Sequence, residues 1–400
     1  MTIIEQLKPN TPLPIDESYN KLEQIRSFWS NSYRLPVNYL TSTDPMGNEV
    51  LLKMDCESTK DYNTRVSLTK PPSYVQQIVN QFNSYLFTQS ITRTGVPAEL
   101  LEDADGYGND LDYFMAQATL KAQIKGSSFI MPDSTAPEME MSIAQAQAAS
   151  VRPIMVSYDI SSLLWWEDDE YIIRYDKENA RYFNDEVFID LKLSRNNRRT
   201  TFIKELGEPV FHGYYKAPIA FITPHLWEDS QAAKLAEILQ SIVNIKSWLM
   251  SELGNKTFSH IVLAGDFNTE DIDKINFGRG KATVLQTEGT VTPTISVLGG
   301  SDTAQADSLR KSLADEVNEM YRTASLQPPQ GTAVAQAESG ISKAVEFEKT
   351  NAVIRSIGVA AENAENEMWR LFGITARSSY PRRFDNVLNN EGDMNEQTAN

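Results

Sequence analysis

Residues 340–372 read GISKAVEFEKTNAVIRSIGVAAENAENEMWRLF. Ile354, Ile357, Ala361, Ala364, Met368 and Leu371 recur in steps of three and four, and Phe347 extends the same face by one heptad. That is the period of one apolar helix face, so the stretch predicts a single helix. Its length would be roughly 50 Å at 1.5 Å per residue, well above the ordinary mean. The other face is charged, through Glu346, Glu348, Lys349, Arg355, Glu362, Glu365 and Glu367. Ahead of the helix, Gln327-Pro328-Pro329-Gln330-Gly331-Thr332 cannot remain helical.

Moving toward the N-terminus, Leu309, Leu313, Val317 and Met320 mark a second long helix over about 302–323. Before it lies a small mixed module: a strand at 260–264, a short helix at 269–276, and strands near 283–286 and 292–297. Leu235, Ile238, Leu239, Ile242, Ile245 and Leu249 predict another long helix, ending near Gly254-Asn255. Residues 152–222 have a β texture, with short runs at 152–158, 171–175, 187–193, 200–203 and 211–215, and a hairpin tip at 195–199. The first part of the chain predicts helices at 17–30, 73–88 and 111–125, the last one ended by Gly126. In the second of these, Val75, Ile78, Val79, Phe82 and Leu86 form the apolar face, after Pro71-Pro72 and a candidate cap, Ser73. A turn-rich region to 72, a strand at 127–131 and a flexible insertion at 132–150 complete the reading. Residues 1–16 read as a flexible arm, and the tail after Tyr380 as frayed. The fold class is α+β.

Composition excludes several functions. The chain has 400 residues, 41% hydrophobic and 23% charged, which is the balance of an ordinary globular protein rather than a disordered or coiled-coil one. No apolar run approaches a membrane span, and residues 1–10 carry no secretory signal. One cysteine, Cys56, cannot make an intramolecular disulfide framework. Only three histidines (His212, His225 and His260) argue against a histidine-built metal site or triad. A net charge of −17 is wrong for a protein that coats DNA, yet compatible with one that lets DNA slide.

No chemical motif survives inspection. Phe277-Gly278-Arg279-Gly280-Lys281 lacks the first glycine and the correctly placed hydroxyl of a phosphate loop, and Gly106-Tyr107-Gly108 lacks the third glycine of a dinucleotide fingerprint. Gly265-Asp266-Phe267-Asn268 resembles a segment of metal-dependent nucleases and phosphatases. The late Ser-Asp-His triplet of that family is missing: Ser301-Asp302 is followed by Thr303, and no histidine follows His260. The acidic runs Glu167-Asp168-Asp169-Glu170 and Glu102-Asp103-Ala104-Asp105 lack the alternating ligands of a calcium loop and read as solvated faces. Trp165-Trp166 is a candidate interface anchor. No catalytic residue, metal or cofactor is expected.

The order of elements says more than any motif. An α/β region, a long helix, a small α/β insert, a second long helix, a Pro/Gly break and a very long third helix together resemble the portal proteins of tailed bacteriophages across roughly 17–373. The most specific match is Ser339-Gly340-Ile341 through Phe347-Glu348 to Glu362, Glu365, Asn366, Met368-Trp369 and Leu371-Phe372, which is similar to the helix after the portal tunnel loop. Residues 74–87 look like the early wing helix, and 152–166 like the strand and turn opening the family's central β region.

The resemblance implies a portal-type fold: a wing at 17–228, stem helices at 229–258 and 301–325, a clip at 259–300, a tunnel loop at 326–339, a long wing helix at 340–373 and a short crown at 374–400. It further implies a non-enzymatic ring of twelve subunits at one capsid vertex of the virion, assembled in the host cytoplasm. Double-stranded DNA would pass through it without sequence recognition. Terminase, the major capsid protein and neck or adaptor proteins would be partners, with no membrane involved. On that layout Gln327, Pro328, Pro329, Gln330, Gly331, Thr332 and Gln336 are the channel-loop candidates. Lys256, Arg279, Lys281, Lys343 and Arg355 are the candidate DNA-contacting cations, and Trp165, Trp166 and Trp369 the subunit-interface candidates. The other readings are a nuclease or phosphatase built on Asp266 and Asn268, and a different virion ring or adaptor.

Overall fold

In chain order the elements are α1 (Glu17–Arg34), α2 (Thr59–Leu68), α3 (Tyr74–Phe87), β1 (Thr92–Thr94), α4 (Ala98–Glu102), α5 (Leu111–Lys125), β2 (Ser128–Ser134), β3 (Pro153–Asp159), β4 (Leu163–Glu167), β5 (Glu170–Arg174), β6 (Asn179–Phe183), β7 (Val187–Arg195), β8 (Thr201–Leu206), β9 (Val210–Phe211), β10 (Ala220–Ile222), α6 (Gln231–Thr257), β11 (His260–Gly265), β12 (Ala282–Gln286), β13 (Thr294–Leu298), α7 (Ala304–Thr323), α8 (Gly340–Leu371) and β14 (Arg377–Ser379). This computed structural model describes residues 7–9, 11–13, 17–55, 57–135, 151–195, 201–223, 230–257, 260–265, 282–286, 294–298, 304–326 and 340–382. The architecture is α+β, as expected.

Local chemistry explains the helix ends. The Asp110 carboxylate accepts the Tyr113 N–H at 2.7 Å to cap α5, and Gly126, at φ 90°, ends it. Ser73 precedes α3 but makes no side-chain cap bond; that helix stands on its buried face of Val75, Ile78, Val79, Phe82 and Leu86. α2, in the region expected to be turn-rich, is short and nearly all polar. Ser58 caps it, and only Tyr62 and Arg65 are buried, so its period carries almost no apolar signal.

The main core lies between α1, α3, α5, α6, the end of α7, and α8. α8 packs across α3, α5, β2 and β10, whereas α6 packs on α1, α2, α3, α5 and α7. Two sheets stand beside it, β10-β2-β3 and the antiparallel meander β4-β5-β6-β7-β8 with β9 on β7. One face of the meander meets Phe129 and Met131 of β2. Its other face forms a small separate core around Tyr182, Leu191 and Ile203.

Leu7 and Leu13 are buried in that second core. The Leu13 N–H donates to Thr201 O at 2.9 Å, and Thr11 O accepts the Ile203 N–H at 3.0 Å. The described part of the expected flexible arm is therefore docked, because the outer edge of β8 offers unpaired backbone groups beside an apolar face that needs cover. Of the expected insertion at 132–150, residues 132–134 belong to β2, where Ser134 pairs with Pro153. Of the hairpin tip, Arg195 ends β7 opposite Thr201, and 196–199, the helix at 269–276 and Cys56 lie outside the described residues.

Candidate functional site

The first candidate is the excursion from α6 to α7. On α6 the buried residues Ala232, Leu235, Ala236, Leu239, Ile242 and Val243 form the core face, and by Met250 and Ser251 the helix is exposed. On α7, Asp307, Ser308, Arg310 and Lys311 are exposed beside a buried Ala306 that lies outside the main core, whereas Val317, Met320 and Tyr321 are buried within that core. Both helices are thus rooted at one end and leave the core at the other. Between them, β11 pairs parallel with β12 and antiparallel with β13, with His260 opposite Leu298. Entry to and exit from the small sheet lie side by side, so α6 and α7 pack together and run in opposite directions. The described strands of the insert thus form one three-stranded sheet between the two helices in the chain. Gly265 is the last residue of β11, opposite Gln286. Asp266, Phe267, Asn268, Arg279 and Lys281 lie outside the described residues, as does the side chain of Lys256.

The second candidate is the junction of α7 with α8. α7 ends in a left-handed turn at Ser325, φ 58°, with the Leu326 N–H donating to Tyr321 O at 2.9 Å. The Thr350 hydroxyl donates to Ser325 O, and Tyr74 meets Tyr321 edge-on at 6.5 Å. The chain therefore leaves α7 beside the first third of α8, roughly 15 Å along the helix from its first residue. Gln327, Pro328, Pro329, Gln330, Gly331, Thr332 and Gln336 lie outside the described residues, as does the Lys343 side chain.

The third feature is α8 itself. Its apolar face is buried as expected, through Ile354, Ile357, Ala361, Ala364, Met368 and Leu371. Glu348, Lys349 and Arg355 of the charged flank are exposed, whereas its later part, at Glu362 and Glu365, is covered by the chain's own continuation. Gly373, φ 67°, reverses the chain, β14 pairs with β1, and residues 377–382 run back along α8. Glu365 has no exposed surface. It accepts Arg93 Nε at 2.6 Å, the Tyr380 hydroxyl at 2.6 Å and the Ser378 hydroxyl. Arg93 also reaches Asp112 at 2.6 Å. Burial opposes the Arg93 charge, but the Glu365 carboxylate outweighs it and raises its pKa; burial and then the Glu365 charge push the Tyr380 hydroxyl well up.

Trp369, an interface candidate, is fully buried within the chain, and its Nε1 donates to Ser378 Oγ at 2.9 Å. The indole N–H finds its partner within the chain, which removes the reason to place it at a neighbour. Trp165 is half-buried against the second core and Trp166 is 41% exposed. Arg355 is exposed, and its Nε donates to Arg382 O at 3.0 Å.

The acidic runs do not converge on a cation site. Asp103 accepts the N–H groups of Gly106 and Gly108 and pairs with Arg152, so a guanidinium already supplies the positive charge there. Those N–H bonds, Gly108 first, hold its carboxyl below the usual range. Glu167 and Glu170 face each other at the tip of the β4–β5 hairpin. Among the described residues there is no cluster of acids, histidines or cysteines able to hold a metal, and no helix long and apolar enough to cross a membrane.

No protein-family model and no curated protein matches the chain. Solved structures do. A chain from the neck of a native gene transfer agent particle, computed with C12 symmetry, matches over 80% of this chain and 83% of its own, at 10% identity and a TM-score of 0.44. A chain of the gene transfer agent virion matches at 11% identity and 0.43, covering 81% and 84%. A phage portal protein of the HK97 family from Corynebacterium diphtheriae matches at 10% identity and 0.39, covering 77% and 91%. At TM-scores below 0.5 these likenesses carry no functional conclusion for this chain.

Proposed function

We propose that this chain is the portal subunit of a tailed bacteriophage, one copy of a ring around a DNA channel. The observation that supports the reading is the three-stranded sheet β11–β13 inserted in the chain between the paired helices α6 and α7, with α8 after them. In this reading α6 and α7 are the stem, β11–β13 the clip, 326–339 the tunnel loop and the preceding domain the wing. A heterologous ring of identical subunits, twelve by family resemblance, needs no bond chemistry. An acidic channel wall would repel phosphates, and a few cations (Lys256, Arg279, Lys281, Lys343 and Arg355) would make weak, salt-sensitive contacts. Terminase, the major capsid protein and neck proteins would dock on the ring, within a virion assembled in the host cytoplasm.

Native mass spectrometry of the purified chain, alone and co-expressed with the capsid protein, tests this. A ring of about twelve copies is expected; a monomer under both conditions overturns the reading. Deleting residues 327–336 should leave the ring intact and abolish DNA packaging or retention.

A further inference from the structure

We propose that residues 374–382 are a strap that sets the axial position of α8, rather than the start of a crown. The strap goes beyond the ring reading and does not depend on it, since its test runs on the isolated chain.

Five α8 side chains carry the argument. Arg355, Glu362, Glu365, Asn366 and Trp369 fall at i, i+7, i+10, i+11 and i+14, one stripe along roughly 21 Å of helix. Each bonds the strap. Glu362 accepts the Tyr380 N–H at 2.8 Å and Arg382 Nη2 at 2.7 Å. Asn366 grips the Ser378 backbone from both sides, donating Nδ2 to its carbonyl at 2.9 Å and accepting its N–H at 2.8 Å. Trp369 and Glu365 hold the Ser378 hydroxyl, and Arg355 holds Arg382 O. On the strap's far side, Gly95 lies so close that a Cβ there would meet Thr375 O at 2.5 Å.

The adjoining face of α8 is apolar and rich in alanine and isoleucine, and apolar packing is non-directional. Such a face tolerates displacement along its partner. Hydrogen bonds do not, because they weaken steeply with misalignment. A stripe of directional bonds to a strand that is itself paired with β1 therefore sets the axial register that the apolar face leaves loose. The strap also adds to the main core, through Tyr380, buried and edge-on to Phe87 at 6.0 Å, and through the partly buried Ile374 and Ala376.

Hydrogen exchange of the purified chain tests the proposal. Truncation after Gly373 should speed exchange of α8 amides 355–369 by about tenfold or more, with α6 amides unchanged. Truncation after Arg382 should change neither. A synthetic peptide of residues 374–382 should restore protection of the shorter chain saturably. Unchanged α8 exchange, or peptide without effect, overturns the strap. If the shorter chain does not fold, Ser378→Ala and Tyr380→Phe in the full chain decide it. A rise confined to α8 supports the strap, and an equal rise in α6 and α8 reduces it to general stability and overturns it.

Discussion

α6 and α8 are both long and both cross the body of the molecule, yet they are held in different ways. α6 relies on a broad apolar face shared with α1, α3 and α5. Polar clasps attend it along the flank: Asn244 bridges Val50 O and Leu52 N, each at 2.9 Å, Ser247 accepts Arg65 Nη1 at 2.9 Å, Gln240 donates to Asp44 and Lys246 to Lys70 O. α8 has its own apolar face and, beside it, a polar stripe built around a fully buried carboxylate. An apolar face tolerates loss in proportion to volume removed, whereas a buried charge tolerates the loss of its partner badly. The arm that must project from the body is rooted by apolar burial. The helix that receives the chain after the break is pinned by directional bonds.

That contrast can be broken most forcefully at Glu365. Glu365→Ala leaves Arg93 buried without its main counter-charge and should cost about 3–5 kcal/mol in denaturant unfolding, whereas Arg93→Met with Glu365→Leu should recover much of it. A double variant as unstable as the single one would show that α8 depends on the charge itself. Next in size, Leu239→Ala on α6 should cost about 3 kcal/mol through a cavity, a purely volumetric effect that shows no pH dependence.

Asn244→Ala sharpens the contrast within α6. It strands the Val50 carbonyl and the Leu52 N–H, and about 1–2 kcal/mol is expected in thermal or denaturant melts. Glu57→Gln should act through pH. Arg65, bonded to Glu57 at 2.7 Å, holds its carboxyl below the usual carboxylate range. A depressed folded value stabilises fully above the ordinary carboxylate pKa and loses that contribution as pH falls through the folded value. The gap between wild type and Glu57→Gln should therefore be full at neutral pH and close on acidification. Smallest of all, Arg322→Ala removes an exposed α7 pair with Glu319 and should shift stability by less than about 0.5 kcal/mol.

Much of this architecture was legible. The faces of α3, α6, α7 and α8 follow from their three-and-four spacing, and Gly126 stops α5 where it stands. The expected strands at 260–264, 283–286 and 292–297 correspond to β11, β12 and β13. α2 escaped because a polar helix has no apolar period, and β4 and β6 because short strands inside a meander carry too few residues to alternate visibly. The channel-loop residues and most of the candidate cations lie outside the described residues, so their roles rest on the proposed function.

The polar stripe divides what the sequence determined from what only the tertiary structure decided. Apolar spacing is written locally, since each buried side chain needs only a common face, and it placed Ile354, Ile357, Ala361, Ala364 and Met368 correctly. Charge burial is not local. Glu362 and Glu365 look like any solvated glutamates until the reversal at Gly373 lays Ser378, Tyr380 and Arg382 across them, and Arg93 arrives from 272 residues away. Whether a carboxylate faces water or a guanidinium depends on desolvation and on partners that the chain brings together only on folding. The sequence determined which face of α8 turns inward, and the tertiary structure decided that its flank would be covered as well.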